Sequence, residues 1–199
     1  MKRNKVLFCI LGKSGSGKDT LTKLVSKKLD LPLLVSHTTR EMRTGEKDGV
    51  EYHFVPDYIF ENMLEHGDFI ETTTYHIESE NRTYKYGYSK RVVDNCEKGL
   101  CIVNPHGLKK FIEAGYNVVA IEICRNERDR MLSYLQRDKN ANVQELFDRY
   151  KRDEEDFEDL MSDYIVVNDG TIEDGVQQLK TIIKEELFFQ FIDGEVDKI

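Results

Sequence analysis

Gly12-Lys13-Ser14-Gly15-Ser16-Gly17-Lys18-Asp19-Thr20 is the stretch on which the reading of the chain turns. An apolar run, Val6 to Leu11, precedes it. Leu21, Leu24, Val25 and Leu29 recur after it at helical spacing, so the loop joins a buried strand to a helix over residues 19–29. Gly12, Gly17 and Lys18 have the G-x-x-x-x-G-K spacing of a phosphate-binding loop. Glycines let backbone N–H groups turn inward around phosphate oxygens, and the helix N-terminus adds a favourable dipole. Gly12, Ser14, Gly15, Ser16, Gly17, Lys18, Asp19 and Thr20 therefore form an expected cradle for a nucleoside triphosphate, with Lys18 reaching its β- and γ-phosphates. The residue after the lysine is normally a Ser or Thr whose hydroxyl ligates Mg²⁺; here it is Asp19, followed by Thr20.

Working outward, Lys5–Leu11, Leu33–Ser36, Leu100–Val103, Asn117–Ile123 and Tyr164–Val167 read as five short strands separated by helical segments. That order predicts an α/β fold with a five-stranded parallel sheet, whose ligands bind at the carboxyl ends of the strands. Residues 37–90 differ in character, with Thr, Tyr, His and Arg and the alternating stretches Val50–Val55 and Phe69–Tyr75, and read as a small β-rich lobe inserted into the core. Residues 127–157 are charged and helical. They read either as a solvated helix pair or, beside a phosphate loop, as a lid carrying arginines to the transferring group. The division expected is a core of 1–36, 91–126 and 158–199, an acceptor lobe of 37–90 and a lid of 127–157. Ile182, Ile183, Leu187, Phe188 and Phe191 form a helical stripe near the C-terminus, expected to dock on the core, with a dimer contact as the alternative.

With 199 residues the chain can bury a core without staples, and its net charge of −8 argues against a nucleic-acid binder that relies on a broad basic surface. Cys9, Cys96, Cys101 and Cys124 contain no C-x-x-C pair. Three of them lie in apolar runs, as small hydrophobes do in a reducing compartment. No apolar run is long enough for a membrane span and the N-terminus leads directly into a strand, so the expectation is a soluble, cytoplasmic protein, monomer or homodimer.

The second strong signal is Ser36-His37-Thr38-Thr39-Arg40-Glu41-Met42-Arg43-Thr44-Gly45-Glu46-Lys47-Asp48-Gly49-Val50-Glu51-Tyr52-His53-Phe54. Two guanidinium forks and a phenol suit a phosphate monoester. This run resembles the nucleotide-binding segment of guanylate kinases, T-T-R-x-x-R-x-G-E-x-D-G-x-x-Y-x-F. With the phosphate loop, Phe69-Ile70-Glu71, Tyr86-Gly87 and Ile165-Val166-Val167-Asn168-Asp169, the resemblance covers nearly the whole chain in order. It implies a phosphate-loop kinase core that transfers a phosphoryl group from ATP to GMP with Mg²⁺. Arg40, Arg43, Tyr52 and Tyr86 would hold the GMP phosphate, Ser36 and Glu71 would read guanine, Arg137 and Arg149 would flank the γ-phosphate, and Asn168 would lie beside adenine. A carboxylate can accept from both N1–H and the 2-amino group of guanine, a donor pair that adenine lacks. Lys18, Arg40, Arg137 and Arg149 are then the expected catalytic groups.

The chain departs from that pattern at several places. Asp19 replaces the metal-binding hydroxyl, and the usual D-I-D-x-Q-G after the third core strand is here Cys101-Ile102-Val103-Asn104-Pro105-His106-Gly107. An acid has left the strand end and one has appeared in the phosphate loop, so Asp19, with Thr20, is a candidate Mg²⁺ ligand; the alternative is a simple helix cap. Tyr88 stands where Ser or Thr usually faces the base and is expected to stack on or crowd it, which leaves room for dGMP or another purine monophosphate. An insertion near His76–Tyr84 lengthens the connection between Glu71 and Tyr86. Two other readings remain: a related kinase acting on ribose 1,5-bisphosphate, and a non-catalytic guanylate-kinase-like binding module.

Overall fold

The computed structural model describes residues 5–43, 45–77, 81–137 and 143–196. Its central strand β1 (Val6–Leu11) is buried at every position, as a strand covered on both faces must be. Helix α1 (Lys18–Leu29) follows the phosphate loop. Strands β6 (Lys98–Ile102), β7 (Val118–Cys124) and β8 (Tyr164–Val167) complete a parallel sheet of order β6-β1-β7-β8. Alternation along β1 divides the core. Val6, Phe8 and Ile10 pack with α1 and with α7 (Ile172–Val196), whereas Leu7, Cys9 and Leu11 face α4 (Pro105–Glu113) and Tyr88.

The five-stranded expectation needs correction. Leu33–Ser36 forms a single parallel bridge, Leu33 to Leu100, in place of a strand. Two backbone bonds hold it, Leu100 N–H to Pro32 O at 2.9 Å and Leu34 N–H to Leu100 O at 2.8 Å, and then the chain leaves β6.

It enters a second sheet of order β3-β2-β5-β4, made of β2 (His37–Thr38), β3 (His53–Phe54), β4 (Phe69–Ile77) and β5 (Arg82–Ser89), with α2 (Asp57–Glu65) beside them. The lengthened connection is a hairpin. Antiparallel pairing of β4 with β5 continues to Ile77 and Arg82, so most of the extra residues extend the strands; residues 78–80 lie outside those described. Helix α3 (Lys90–Asp94) returns the chain to the core, capped by the Ser89 hydroxyl. The charged segment forms α5 (Glu127–Arg137) and α6 (Val143–Phe157).

The C-terminal stripe divides. Ile183 is fully buried, and Ile182 and Leu187 pack on the core, but Phe188 and Phe191 are exposed. Cys9 and Cys101 are buried partners across β1 and β6, and all four cysteines are free thiols. Among the described residues no helix is long and apolar enough to cross a membrane.

Candidate active site

The phosphate loop adopts the shape its glycines permit. Gly15 and Gly17 have φ of +79° and +87°, the left-handed region that L side chains rarely adopt. Each also lies against a neighbour: a Cβ at Gly15 would meet the Arg130 carbonyl, and one at Gly17 the Asn168 amide. Lys18 opens α1, with its ammonium 3.9 Å from the Asp19 carboxylate. Asp19 does not cap the helix, because the N-cap is Gly17 and no side chain bonds there. Its carboxylate is exposed and lines the cavity above the loop, whereas Thr20 is exposed and does not line it. Ser16 is the opposite case: its hydroxyl is buried with no hydrogen-bond partner, an orphan polar atom in the loop.

Two residues brace the loop from outside. Asn168 is buried and donates its amide to Ser16 O at 2.8 Å, so the side chain expected beside adenine is bonded to the phosphate loop. Arg130, also buried, donates Nε–H to Ser14 O at 3.0 Å. Its fork also bonds Asp153 on α6, at 3.3 Å. The Asp153 carboxylate in turn accepts the Ser14 N–H at 2.6 Å, and Lys13 pairs with the neighbouring Glu154 at 2.6 Å. A carboxylate of α6 thus occupies a loop amide. The sequence reading did not single out Asp153, because one acid within Lys151-Arg152-Asp153-Glu154-Glu155-Asp156 carries no spacing signal. Arg149, on the same helix, lines the cavity with its guanidinium 5.6 Å from the Tyr134 ring. Arg137 ends α5, and its side chain lies outside those described.

The residues expected to hold the acceptor converge across the cavity, which measures about 1020 Å³ and runs continuously from Gly12 and Lys18 to Ser36 and Glu71. Arg40 is nearly buried, paired with Glu46 at 2.8 Å and seated over the rings of Tyr52 and Phe54 at 5.4 and 5.5 Å. Burial alone would raise the Glu46 carboxyl, but its bonds from Arg40 and the Arg43 N–H outweigh that and hold it below the ordinary value. Arg43 is exposed at the rim. Tyr52 and Tyr86 meet edge to face at 5.6 Å, and Tyr75 touches Tyr86 from the other side at 5.7 Å. Burial, with the phenol of Tyr86 and the charge of Asp19 nearby, pushes the Tyr52 hydroxyl up to about 12, so it remains a neutral donor.

Glu71 closes the far end. It is 8% exposed and accepts from Tyr88 N–H at 3.1 Å and from the Thr73 hydroxyl at 3.4 Å. Burial pushes its carboxyl up to about 7 against those two bonds. Asn104 caps α4 by accepting the Gly107 N–H at 2.7 Å, and its amide donates to Thr73 and Tyr75. The residue in place of the family's acid thus lines the cavity with its amide group engaged by α4 and β4. Tyr88 lines the same cavity, with its ring packed edge-on to Phe111 and only 5% of the residue exposed.

The family model described as guanylate kinase matches residues 4–186. The chain belongs to the guanylate kinase family. A guanylate kinase of Caldanaerobacter subterraneus is 30% identical over 192 residues, covering 94% of this chain and 90% of the relative. One from Clostridium perfringens is 30% identical over 190 residues, covering 93% and 86%. The crystal structure of guanylate kinase from Anaplasma phagocytophilum shares the fold, with a TM-score of 0.64 at 24% identity, covering 92% of this chain and 87% of that one. Membership in the guanylate kinase family accounts for the convergence of a phosphate loop, a basic and phenolic cluster and a buried carboxylate on one cavity.

Proposed function

We propose that the protein transfers the γ-phosphoryl group of ATP to GMP, and to dGMP, giving ADP and GDP or dGDP. One observation carries the reading: a single cavity joins the Lys18 loop to a buried carboxylate by way of Arg40, Tyr52 and Tyr86. ATP would place its phosphates on the loop amides and Lys18. GMP would place its phosphate on Arg40, Arg43, Tyr52 and Tyr86, with its base at Glu71 and Ser36. The acceptor phosphate oxygen is already ionised, so catalysis needs positioning and neutralisation and no general base. Arg149, and Arg137 from the end of α5, would bring charge to the transferring group as the lid closes. The test is ATP-dependent phosphorylation of GMP, dGMP, AMP, IMP, UMP and ribose 1,5-bisphosphate. Preference for another acceptor, or no turnover, overturns the proposal.

The residues present fit a Mg²⁺ that arrives with its nucleotide. Mg²⁺ retains several waters and takes one or two carboxylates plus phosphate oxygens. Asp19 supplies one carboxylate at the cavity wall, and no cluster of three or more His, Cys, Asp or Glu is found among the described residues. Bound there, the ion would neutralise charge on the β- and γ-phosphates. Asp19→Asn is expected to weaken Mg²⁺-dependent ATP binding, read by calorimetry across a Mg²⁺ titration. An unchanged titration removes Asp19 from the metal site.

Asp153 supplies a second prediction. Its carboxylate holds the Ser14 N–H that a phosphate oxygen would take, so ATP must displace it. Charged acceptors bind an amide about twice as strongly as neutral ones, and Asp153→Asn is expected to tighten ATP binding roughly threefold to tenfold. Weaker ATP binding in this variant would show instead that Asp153 belongs to the nucleotide-loaded site.

A further inference from the structure

Tyr88 lies on β5, 5% exposed, with its ring edge-on to Phe111 at 5.7 Å. Its hydroxyl reaches the end of β6, where it accepts the Ile102 N–H at 3.1 Å. As a donor it faces two carbonyls, Ile102 O at 3.2 Å and Leu34 O at 3.5 Å. Two rungs of a parallel ladder already tie Pro32–Leu34 to β6, and in an evenly spaced ladder the third would run from Ile102 N–H to Leu34 O. The phenol oxygen stands on that third rung. It accepts the Ile102 N–H, faces Leu34 O with the one proton that Ile102 O also attracts, and stands between the two ends of the missing bond where the expected fifth strand stops at one bridge.

The same residue fixes the opposite wall of the base pocket. Its backbone N–H donates to Glu71 Oε1 at 3.1 Å, opposite a shift of register between Phe69 and Glu71. Ser36 is two residues beyond Leu34 on the first wall, and Glu71 forms the second. We infer that Tyr88 is a positioning residue for base selection: one side chain, wedged in the core ladder, sets the spacing between Ser36 and Glu71. This rests on the acceptor assignment above, and it concerns selectivity rather than turnover.

Tyr88→Phe tests it. The ring remains to fill the space beside Phe111, and removal of the oxygen lets Ile102 N–H bond Leu34 O directly, so the fold is retained while Ser36 shifts relative to Glu71. GMP and IMP differ only in the 2-amino group, so their ratio reports how well the pocket reads that group. The expected result is a fall of about tenfold in the kcat/KM ratio of GMP over IMP, in line with the cost of misplacing a reading group by part of an ångström. The KM for ATP and the kcat with saturating GMP should stay within about twofold. An unchanged ratio overturns the inference, as does an equal loss on GMP, IMP and ATP, which is what general loosening would give. Tyr88→Met removes the hydroxyl with a different side chain and must shift the ratio in the same sense. A ligand-free crystal structure of the Phe variant reads the brace without substrate. If Ser36 has not moved relative to Glu71, the brace is disproved whatever the enzyme phosphorylates; if it has moved but the wild type does not use GMP, it is the acceptor assignment that fails.

Discussion

Lys18→Met is expected to lower kcat for ATP-dependent GMP phosphorylation by about a thousandfold, the upper end of what removal of one preorganised transition-state donor costs. The lysine opens α1, where the helix N-terminus and the inward amides of the loop already favour an anion. What those amides lack is a full positive charge that can follow the γ-phosphoryl group as it leaves the β-phosphate. The ammonium, partly shielded and 3.9 Å from Asp19, would supply it. Methionine keeps the unbranched chain and a good helix propensity, and the loop's glycines and the braces from Asn168 and Arg130 are untouched, so the fold should survive within about 1 kcal/mol. Steady-state kinetics paired with thermal unfolding separates the two. A loss below tenfold with an intact fold would mean that the lid arginines and the metal already neutralise the transferring group.

The phosphate loop was legible in the sequence because its chemistry depends on residues adjacent in the chain: three glycines and a lysine cannot be rearranged without losing the nest. That Arg40, Arg43 and Tyr52 share one cavity wall was legible for the same reason, since Arg40 to Phe54 is nearly continuous. Features that depend on contacts between distant segments were not. Tyr88 reads as a residue beside the base because it follows Tyr86-Gly87, and it does line the cavity, yet its ring is packed against Phe111 and its hydroxyl is engaged by the core ladder at Ile102 and Leu34. Leu33–Ser36 has the composition of a strand but makes one bridge, and beyond it lies the Tyr88 hydroxyl, 54 positions from Leu34 in the chain. Asn168 has the right place in its motif, but its amide is used on the loop. Phe188 and Phe191 continue the spacing of Ile183, but α7 outruns the core that Ile183 meets. Periodicity identifies the face of a helix; it does not show where the packing partner stops.

Glu71→Gln should change which base the pocket accepts. The ionised carboxylate offers two acceptors, matching the N1–H and 2-amino donors of guanine, whereas glutamine offers one acceptor and one donor, a pattern that suits adenine. In a site as buried as this one, an unpaired polar group is strongly penalised. The kcat/KM for GMP should therefore fall by about 10² to 10³, and the preference over AMP should largely disappear. The pH profile gives an independent check. In the unfolded chain Glu71 titrates near 4.5, whereas burial in the folded protein moves it to about 7. Between those values the folded protein holds a proton that the unfolded chain has shed. The cost of the buried charge is absent below the unfolded value, grows as pH rises, and levels off above about 7 at roughly 3 kcal/mol. The ligand-free Gln variant should accordingly be the more stable protein at pH 8 and gain nothing at pH 4. GMP reverses this preference, because its two donors stabilise the ionised form. Wild-type KM for GMP should begin to rise as pH falls below about 7, while the Gln variant, with nothing to titrate at that position, should keep only the later rise set by the phosphate of GMP itself, whose second pKa is about 6. If both proteins follow the same profile, the proton that governs GMP binding resides elsewhere, and the base is not read by Glu71.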